Sequence, residues 1–183
     1  MTIMEAGSSV PDVHKPALDD DFGQYLTFSC NGEAYGVDVY KTREIIEYHD
    51  VTPVPMMPDF IRGVINLRGS VVAVVDLAAR LNGPLSAPGK KTCIVVVEAM
   101  SNDEQVEIGL MVDLVLAVIE VPRDDIEPPP RFGTRIQSAF IAGMAKSNDD
   151  FLVLLDVDSI VDLGGIENLQ SGTGNSGEKG GRD

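Results

Sequence analysis

The sequence contains no tryptophan, and aromatic residues make up only 5% of its 183 positions. A hydrophobic core must therefore come from aliphatic side chains, and a hydrophobic content of 44% supplies enough of them. Most apolar runs consist of Val, Ile and Leu, and the β-branched residues among them fit a pleated strand better than a helix. The shortage of aromatics thus predicts a mainly β protein with an aliphatic core.

Basic residues are also scarce, because 14 Lys and Arg face 29 Asp and Glu and leave a formal net charge of -15. Nucleic acid and anionic membrane surfaces both attract basic patches and repel an acidic protein. The charge balance predicts a protein that binds no nucleic acid and does not insert into a membrane. It favours rapid encounter with basic patches on protein partners.

Residues that commonly carry catalysis or bind metals are few. His14 lies in a polar tail and His49 in a turn, and neither has a partner at metal-ligand spacing. Cys30 and Cys93 lie singly in apolar runs, which favours two buried reduced thiols over a disulfide and excludes a CxxC site. We therefore predict no enzyme activity, no metal and no cofactor.

Targeting signals and long apolar runs are missing too. The first residues lack the basic and apolar regions of a signal peptide, and no run is long enough to cross a bilayer. Residues 1–21 mix Ser, Pro, Gly and acids, and residues 169–183 are rich in Gly and Ser. We expect flexible tails at both ends, a folded region over residues 22–168 and a cytoplasmic location.

Short apolar runs between Gly and Pro turns predict many strands. Asn31-Gly32 predicts a tight hairpin, and Val51–Pro58 predicts an extended loop because Pro restricts its backbone. The predicted strands are Tyr25–Cys30, Ala34–Val39, Thr42–Tyr48, Arg62–Leu67, Val71–Val75, Thr92–Glu98, Val106–Val112, Val115–Val121 and Phe151–Leu155.

Acidic residues adjoin several of these strands. Asp76 and Asp156 each follow an apolar strand, so either an acid–base pair or two helix caps would explain them, and caps are the simpler explanation. Asp124 and Asp125, which precede Ile126, likewise predict the start of a helix.

The chain repeats itself without gaps at a constant spacing of 80 residues, as between Ile61 and Ile141. A looser similarity joins Tyr35–Val39 to Ile108–Val112, and the prolines after Val51 to those at 128–130. We infer two similar β subdomains, each with a strand hairpin, a Pro-rich loop and a closing strand pair. The matched pairs include Phe60 with Phe140, Gly63 with Gly143, Val74 with Leu154 and Asp76 with Asp156.

The two copies diverge at one turn, where Asn66–Gly69 of the first copy corresponds to Lys146–Asp149 of the second. A loop that differs on a shared scaffold is a natural place for specialised function. Arg68 lies in this turn, and Arg is favoured at binding hot spots because its planar group makes several directed hydrogen bonds. Taken alone, an ordinary solvated Arg is the simpler interpretation.

Four motifs, in this order and spacing, resemble the CheW family of chemotaxis coupling proteins. They are Glu44-Ile-Ile-Glu-Tyr48, Val51-Thr-Pro-Val-Pro55, Phe60-Ile-Arg-Gly-Val-Ile-Asn-Leu-Arg-Gly69 and Val74-Val-Asp-Leu77. The resemblance extends from about Gln24 to Gly164 and implies two intertwined five-stranded SH3-like barrels with short helices. It also implies a cytoplasmic scaffold, recruited to receptor arrays, that joins the cytoplasmic tip of chemoreceptors to the regulatory domain of a CheA-type histidine kinase.

The resemblance also implies which residues bind each partner. Within the receptor set we expect Glu44 to pair with Arg68 and hold its side chain. After Asp76 the chain departs from the family pattern, because it lacks the basic residue that many relatives carry directly after Asp-Leu. The receptor set is Thr42, Glu44, Gly63, Asn66, Arg68, Gly69 and Val71, and the kinase set is Ile126 and Phe132.

Other functions are compatible with the same features. The chain could serve another chemosensory pathway, such as pilus or surface motility, or it could be a detached kinase regulatory domain of the same fold. A small-ligand-binding β-barrel sensor or an enzyme with a site between the barrels is a further alternative, but it requires convergent polar groups that the sequence does not show.

Overall fold

Strands dominate the computed structural model, which describes residues 21–129, 138–147 and 150–162. All nine predicted strands are confirmed, with ends that differ by three residues at most. The helices are α1 (Leu77–Arg80) and α2 (Val157–Val161). The strands are β1 (Phe22–Cys30), β2 (Glu33–Asp38), β3 (Thr42–Glu47), β4 (Ile61–Leu67), β5 (Ser70–Asp76), β6 (Cys93–Ser101), β7 (Glu104–Val112), β8 (Leu114–Pro122), β9 (Ile126–Glu127), β10 (Ile141–Ser147) and β11 (Asp150–Leu155).

The strands form two curled sheets. Barrel 1 has the strand order β3-β6-β7-β5-β4, and barrel 2 has the order β8-β1-β2-β11-β10-β9. Neighbouring strands are antiparallel except for β5 with β7 and β11 with β2. The expected mainly β fold of two intertwined SH3-like barrels is confirmed, and the two-residue strand β9 adds a sixth strand to barrel 2. The predicted tails lie outside the described residues, apart from Asp21.

The repeat seen in the sequence is also present in the strand pairing. Gly63 pairs with Val74 after a bulge in barrel 1, and Gly143 pairs with Leu154 after the same bulge in barrel 2. The looser similarity is confirmed as well, since β5 pairs with β7 at Ile108 and β11 pairs with β2 at Tyr35.

The two copies nevertheless do not fold separately, which corrects the subdomains inferred from the repeat. Barrel 1 takes β3, β4 and β5 from the first copy but completes its sheet with β6 and β7 from the second. Barrel 2 takes β1 and β2 from the first copy and the remaining strands from the second. Each barrel therefore depends on both copies, because a closing hairpin finds its parallel partner in the other copy.

A continuous aliphatic core joins the two barrels. One cluster of buried side chains contains Leu26 and Phe28 from β1, Val95 and Val97 from β6, and Ile160 from α2. Each of these side chains contributes about 1.5–3 kcal/mol when it is fully removed from water. The core predicted from the scarcity of aromatics is thus mainly aliphatic, with Phe28 among its few rings, and it stabilises both barrels together.

Both predicted buried thiols are confirmed, since Cys30 and Cys93 are free and buried. Burial raises the pKa of the Cys30 thiol to about 12, and the carboxylate of Asp113 adds to the rise. Burial also raises the pKa of Cys93. Because the thiolate is the reactive form, both cysteines should react slowly in the folded protein near neutral pH.

The aspartates at the ends of β5 and β11 cap the two helices, as predicted. Asp76 Oδ1 accepts from the Ala79 N–H at 3.3 Å, and Asp156 Oδ1 accepts from the Ser159 N–H at the same distance. The prediction for Asp124 and Asp125 is wrong, because they end a short 3-10 turn, Arg123–Asp125, and the chain then enters β9. Ile126 pairs with Ala145, and Pro128 disfavours a helical conformation in the residue before it. Both effects favour extended backbone at residues 126–127.

Within the described residues, Asp76 has more partners than its counterpart. Its fully buried carboxylate accepts from the Ser86 N–H at 2.7 Å and from the Ser86 hydroxyl at 3.2 Å, and Arg62 Nη1 lies 3.6 Å away. The position equivalent to Arg62 is Ala142, which carries no charge. Asp76 therefore holds the loop after α1 against barrel 1 in addition to capping the helix.

We expect the two capping aspartates to contribute unequally to stability. Asp76→Ala should lower the free energy of unfolding by about 2–4 kcal/mol, because it leaves buried donors and Arg62 without their acceptor. Asp156→Ala removes the cap to Ser159, which is the side-chain hydrogen bond of Asp156 within the described residues, and should cost about 1 kcal/mol. Urea unfolding of both variants tests this, and equal losses would contradict the assignment.

Candidate partner-binding site

The turn between β4 and β5 is a two-residue loop, Arg68-Gly69, because Leu67 pairs with Ser70 across it. The φ angles are 54° at Arg68 and 88° at Gly69. Positive values at both central residues are typical of a type I′ turn, which normally carries Asn-Gly. The β1–β2 hairpin has that normal pair, with φ of 53° at Asn31 and 81° at Gly32.

Arg68 is therefore an unusual residue for its backbone conformation. Among the described non-glycine residues with positive φ, five are Asn or Asp, and the others are Met56 and Arg68. A left-handed conformation costs a side chain other than Asn or Asp about 1–2 kcal/mol. Strain of this kind persists where the surrounding structure enforces it, and it is concentrated at functional positions.

The expected pairing of Glu44 with Arg68 is confirmed. Arg68 Nη2 donates a hydrogen bond to Glu44 Oε1, which joins the β4–β5 turn to the edge strand β3. The Arg68 side chain is 74% exposed, whereas that of Glu44 is 23% exposed. The carboxylate thus anchors one edge of the guanidinium while most of the side chain remains accessible to a partner.

Two further residues of the predicted receptor set complete this surface. Asn66 Oδ1 accepts from the Gly69 N–H at 3.0 Å, which fixes the turn that presents Arg68. Val71 pairs with Asn66 across the hairpin and is 58% exposed, so it adds an apolar contact area. We call Glu44, Asn66, Arg68, Gly69 and Val71 the hairpin site.

Thr42 and Gly63, the other two residues of the predicted receptor set, are buried and do not lie on this surface. Thr42 is fully buried, and its hydroxyl donates to the Asp38 carbonyl oxygen at 3.3 Å. Gly63 has φ of 146°, and a Cβ there would lie 2.1 Å from the Thr52 carbonyl oxygen. Thr42 begins β3 and Gly63 lies in β4, so both residues shape strands that carry the hairpin site.

The structure describes one of the two residues of the predicted kinase set. Ile126 lies on β9, is half-buried and packs against the cluster of Val121, Ala145, Leu152 and Leu154 in barrel 2. Phe132 lies outside the described residues.

Comparisons with known proteins point to one family. The family model described as "CheW-like domain" matches residues 24–164. The chain belongs to the CheW family. The "Chemotaxis protein CheW" of Thermotoga maritima is 31% identical over 142 residues, which cover 76% of this chain and 87% of that protein. The protein of the same name from Klebsiella aerogenes is 30% identical over 138 residues, covering 75% of this chain and 81% of that protein.

A solved structure of the CheW family has the same fold. The crystal structure of "scaffolding protein TtCheW" from Thermoanaerobacter tengcongensis superposes with a TM-score of 0.70 and is 32% identical. The match covers 78% of this chain and 94% of that one.

Sequence reasoning missed one exposed feature of this CheW-family chain. Met56, in the Pro-rich loop, has φ of 64° and a side chain that is 96% exposed. The alternation of Pro and apolar residues indicated an extended loop but not which side chain it leaves in solvent. Only the packing of the neighbouring Met57 against the core shows that the loop turns Met56 outward.

Two surface cavities among the described residues are smaller than typical small-molecule sites. Two surface cavities measure about 180 and 200 Å3, below the about 300–1,000 Å3 typical of ligand sites. The described residues contain no group of three His, Cys, Asp or Glu side chains that could hold a metal ion. Within the same residues, neither helix could span a membrane.

We expect Arg68→Asn to leave the protein at least as stable as the parent. The variant relieves left-handed strain of about 1–2 kcal/mol and loses a surface ion pair worth about 0–1 kcal/mol. Asn31→Arg places an Arg in the left-handed conformation of the β1–β2 turn and should lower the free energy of unfolding by about 1 kcal/mol. Urea unfolding of both variants checks this, and a clear loss of stability in Arg68→Asn would contradict it.

The two glycines of the predicted receptor set should respond differently to alanine. Gly63→Ala forces Cβ into the Thr52 carbonyl and should cost more than about 3 kcal/mol, since backbone must shift in addition to the strain of positive φ. Gly69→Ala meets open space and should cost only about 1–2 kcal/mol. Thermal unfolding of the pair is the measurement, and similar losses would show that the Thr52 contact is unimportant.

Proposed function

We propose that this chain is a non-catalytic scaffold that couples chemoreceptors to a CheA-type histidine kinase in chemotaxis. Membership of the CheW family supports this role. The observation that carries the proposal is Arg68, an exposed cation held by Glu44 on a strained turn. A residue kept in a costly conformation without a structural need is a good candidate for contact with a partner.

The hairpin site suits a helical partner such as a receptor tip. The free edge of the Arg68 guanidinium can donate to carboxylates or carbonyls on a helix, while Val71 offers apolar area beside it. Glu44 and Asn66 restrict the side chain and the turn before binding. Preorganisation of this kind improves affinity because less conformational freedom is lost on association.

We place the kinase contact on barrel 2, with Ile126 and Phe132 as its proposed residues. The kinase's regulatory domain, as the family resemblance implies, has the same fold and would dock barrel to barrel. Ile126 belongs to barrel 2 and the hairpin site to barrel 1. Two partners on different barrels can be bound at the same time, which is what a coupling protein requires.

The first test is binding of a receptor-tip fragment to Arg68→Asn. This variant keeps the type I′ turn and removes the cation, so its effect on binding does not come from misfolding. We expect affinity to fall by about 1–3 kcal/mol, or roughly 5- to 150-fold in Kd. Lys90→Ala, which removes the same charge from an exposed loop, should bind like the parent.

A double-mutant cycle with Glu44→Ala tests preorganisation by the pair. If Glu44 acts by holding Arg68, the two losses should be less than additive, because the second change removes what the first has already disabled. Unchanged affinity in Arg68→Asn would remove the hairpin site from receptor binding. Failure of the parent protein to bind the kinase's regulatory domain would overturn the coupling role itself.

A further inference from the structure

Two equivalent phenylalanines of the repeat converge on a single side chain, Arg80. The guanidinium carbon of Arg80 lies 5.1 Å from the ring centroid of Phe60 and 4.6 Å from that of Phe140. Phe60 directly precedes β4 of barrel 1, and Phe140 directly precedes β10 of barrel 2. One cation therefore contacts the faces of both rings, and each ring lies directly before a strand of a different barrel.

A hydrogen bond ties the same side chain to the second copy. Arg80 Nε donates to the Ile160 carbonyl oxygen at 3.0 Å. Ile160 is the residue that the repeat places on Arg80, so the bond joins equivalent positions of α1 and α2. Arg80 thus lies where equivalent helices of the two copies meet, and it contacts residues of both copies.

The phenylalanines are themselves fixed within their barrels. The Phe60 carbonyl oxygen accepts from the Asp76 N–H at 2.7 Å, and the Phe140 carbonyl oxygen accepts from the Asp156 N–H at 2.8 Å. A contact from Arg80 to either ring is therefore a contact to the framework that also begins α1 or α2. Movement of one barrel relative to the other would disturb at least one of the three Arg80 contacts.

Such a directional contact adds something that the shared core cannot provide. The apolar cluster between the barrels resists separation, but hydrophobic contacts are non-directional and tolerate small rotations. A hydrogen bond and two cation–π contacts depend on distance and on the plane of the guanidinium. Burial lowers the pKa of Arg80 and nearby Asp162 counteracts this, so the charge is kept in a partly desolvated position.

We propose that Arg80 is a clamp between the two copies that fixes the relative orientation of the two barrels. It is a positioning residue, and its role needs no partner to be present. In a scaffold with one partner surface on each barrel, the clamp would set the angle at which the two partners are held.

The test measures the distance between labels on the two barrels of the free protein. Glu33→Cys on β2 and Glu104→Cys on β7 place exposed thiols on barrel 2 and barrel 1. The native Cys30 and Cys93 are buried, so spin labels should attach to the introduced thiols. The same protein without the introduced cysteines checks that this holds.

Arg80→Met in this background keeps an apolar side chain between the rings but removes the charge and the hydrogen-bond donor. We expect pulsed electron paramagnetic resonance to show at least a doubling in the width of the distance distribution. Lys90→Met, which removes one charge from the exposed loop, should leave the distribution unchanged. A role in filling space alone would not broaden it, because Met occupies the same gap.

Arg80→Lys is the second variant, for the event that Arg80→Met does not fold. Lys retains the charge but has no planar group and no Nε–H, so we expect the distribution to broaden here as well. A folded Arg80 variant with the parent's narrow distribution would overturn the clamp. Because no partner is added, this result is independent of whether the proposed coupling role is correct.

Discussion

Two parallel strand pairings, β5 with β7 and β11 with β2, hold the molecule together in a way that neither repeat could achieve alone. In each pairing the closing hairpin of one copy joins the opening hairpin of the other. Each barrel is therefore closed only when both copies are present. The aliphatic core follows from this arrangement, because strands of both copies bring their buried faces to the same interior.

The same constraint explains how the hairpin site tolerates its strain. The β4–β5 hairpin is held by β7 over Ala73–Asp76, and a bulge at Gly63 lets the Thr52 carbonyl approach the backbone closely. A turn on so rigid a base cannot relax by shifting its register. Arg68 is thereby kept in the left-handed region, where an isolated hairpin of the same sequence would have other options.

Local features of the fold could be predicted from the sequence, because their causes are local. Asn31-Gly32 specifies its own turn, and Asp76 caps the helix that follows it, within three residues of chain. Ser86 and Arg62 reach Asp76 only through the tertiary fold, and nothing in their spacing identifies them. The helix start predicted from Asp124 and Asp125 was wrong for the same reason, since the pairing of the next residues with β10 overrides their local preference.

The candidate site shows the same division. The resemblance identified Glu44 and Arg68, and their pairing was expected. That Thr42 and Gly63 are buried depends on the tertiary fold and could not be predicted from the sequence. The contact of Phe60 and Phe140 with Arg80 could not be predicted from the sequence either. The repeat marks the two rings as equivalent but not as neighbours, because their proximity depends on how the copies exchange strands.

Duplication by itself would give two equal faces, and an adaptor needs two different ones. The copies differ where Arg68 stands on a strained turn in barrel 1, and where Val71 in one copy corresponds to Phe151 in the other. Val71 and Phe151 are both exposed, so the difference lies on the surface and leaves the packing unchanged. The contact between the copies is also asymmetric, since Arg80 has Ile160 as its counterpart. Arg80 lies over both rings, so a single asymmetric residue contacts both of two nearly symmetric barrels.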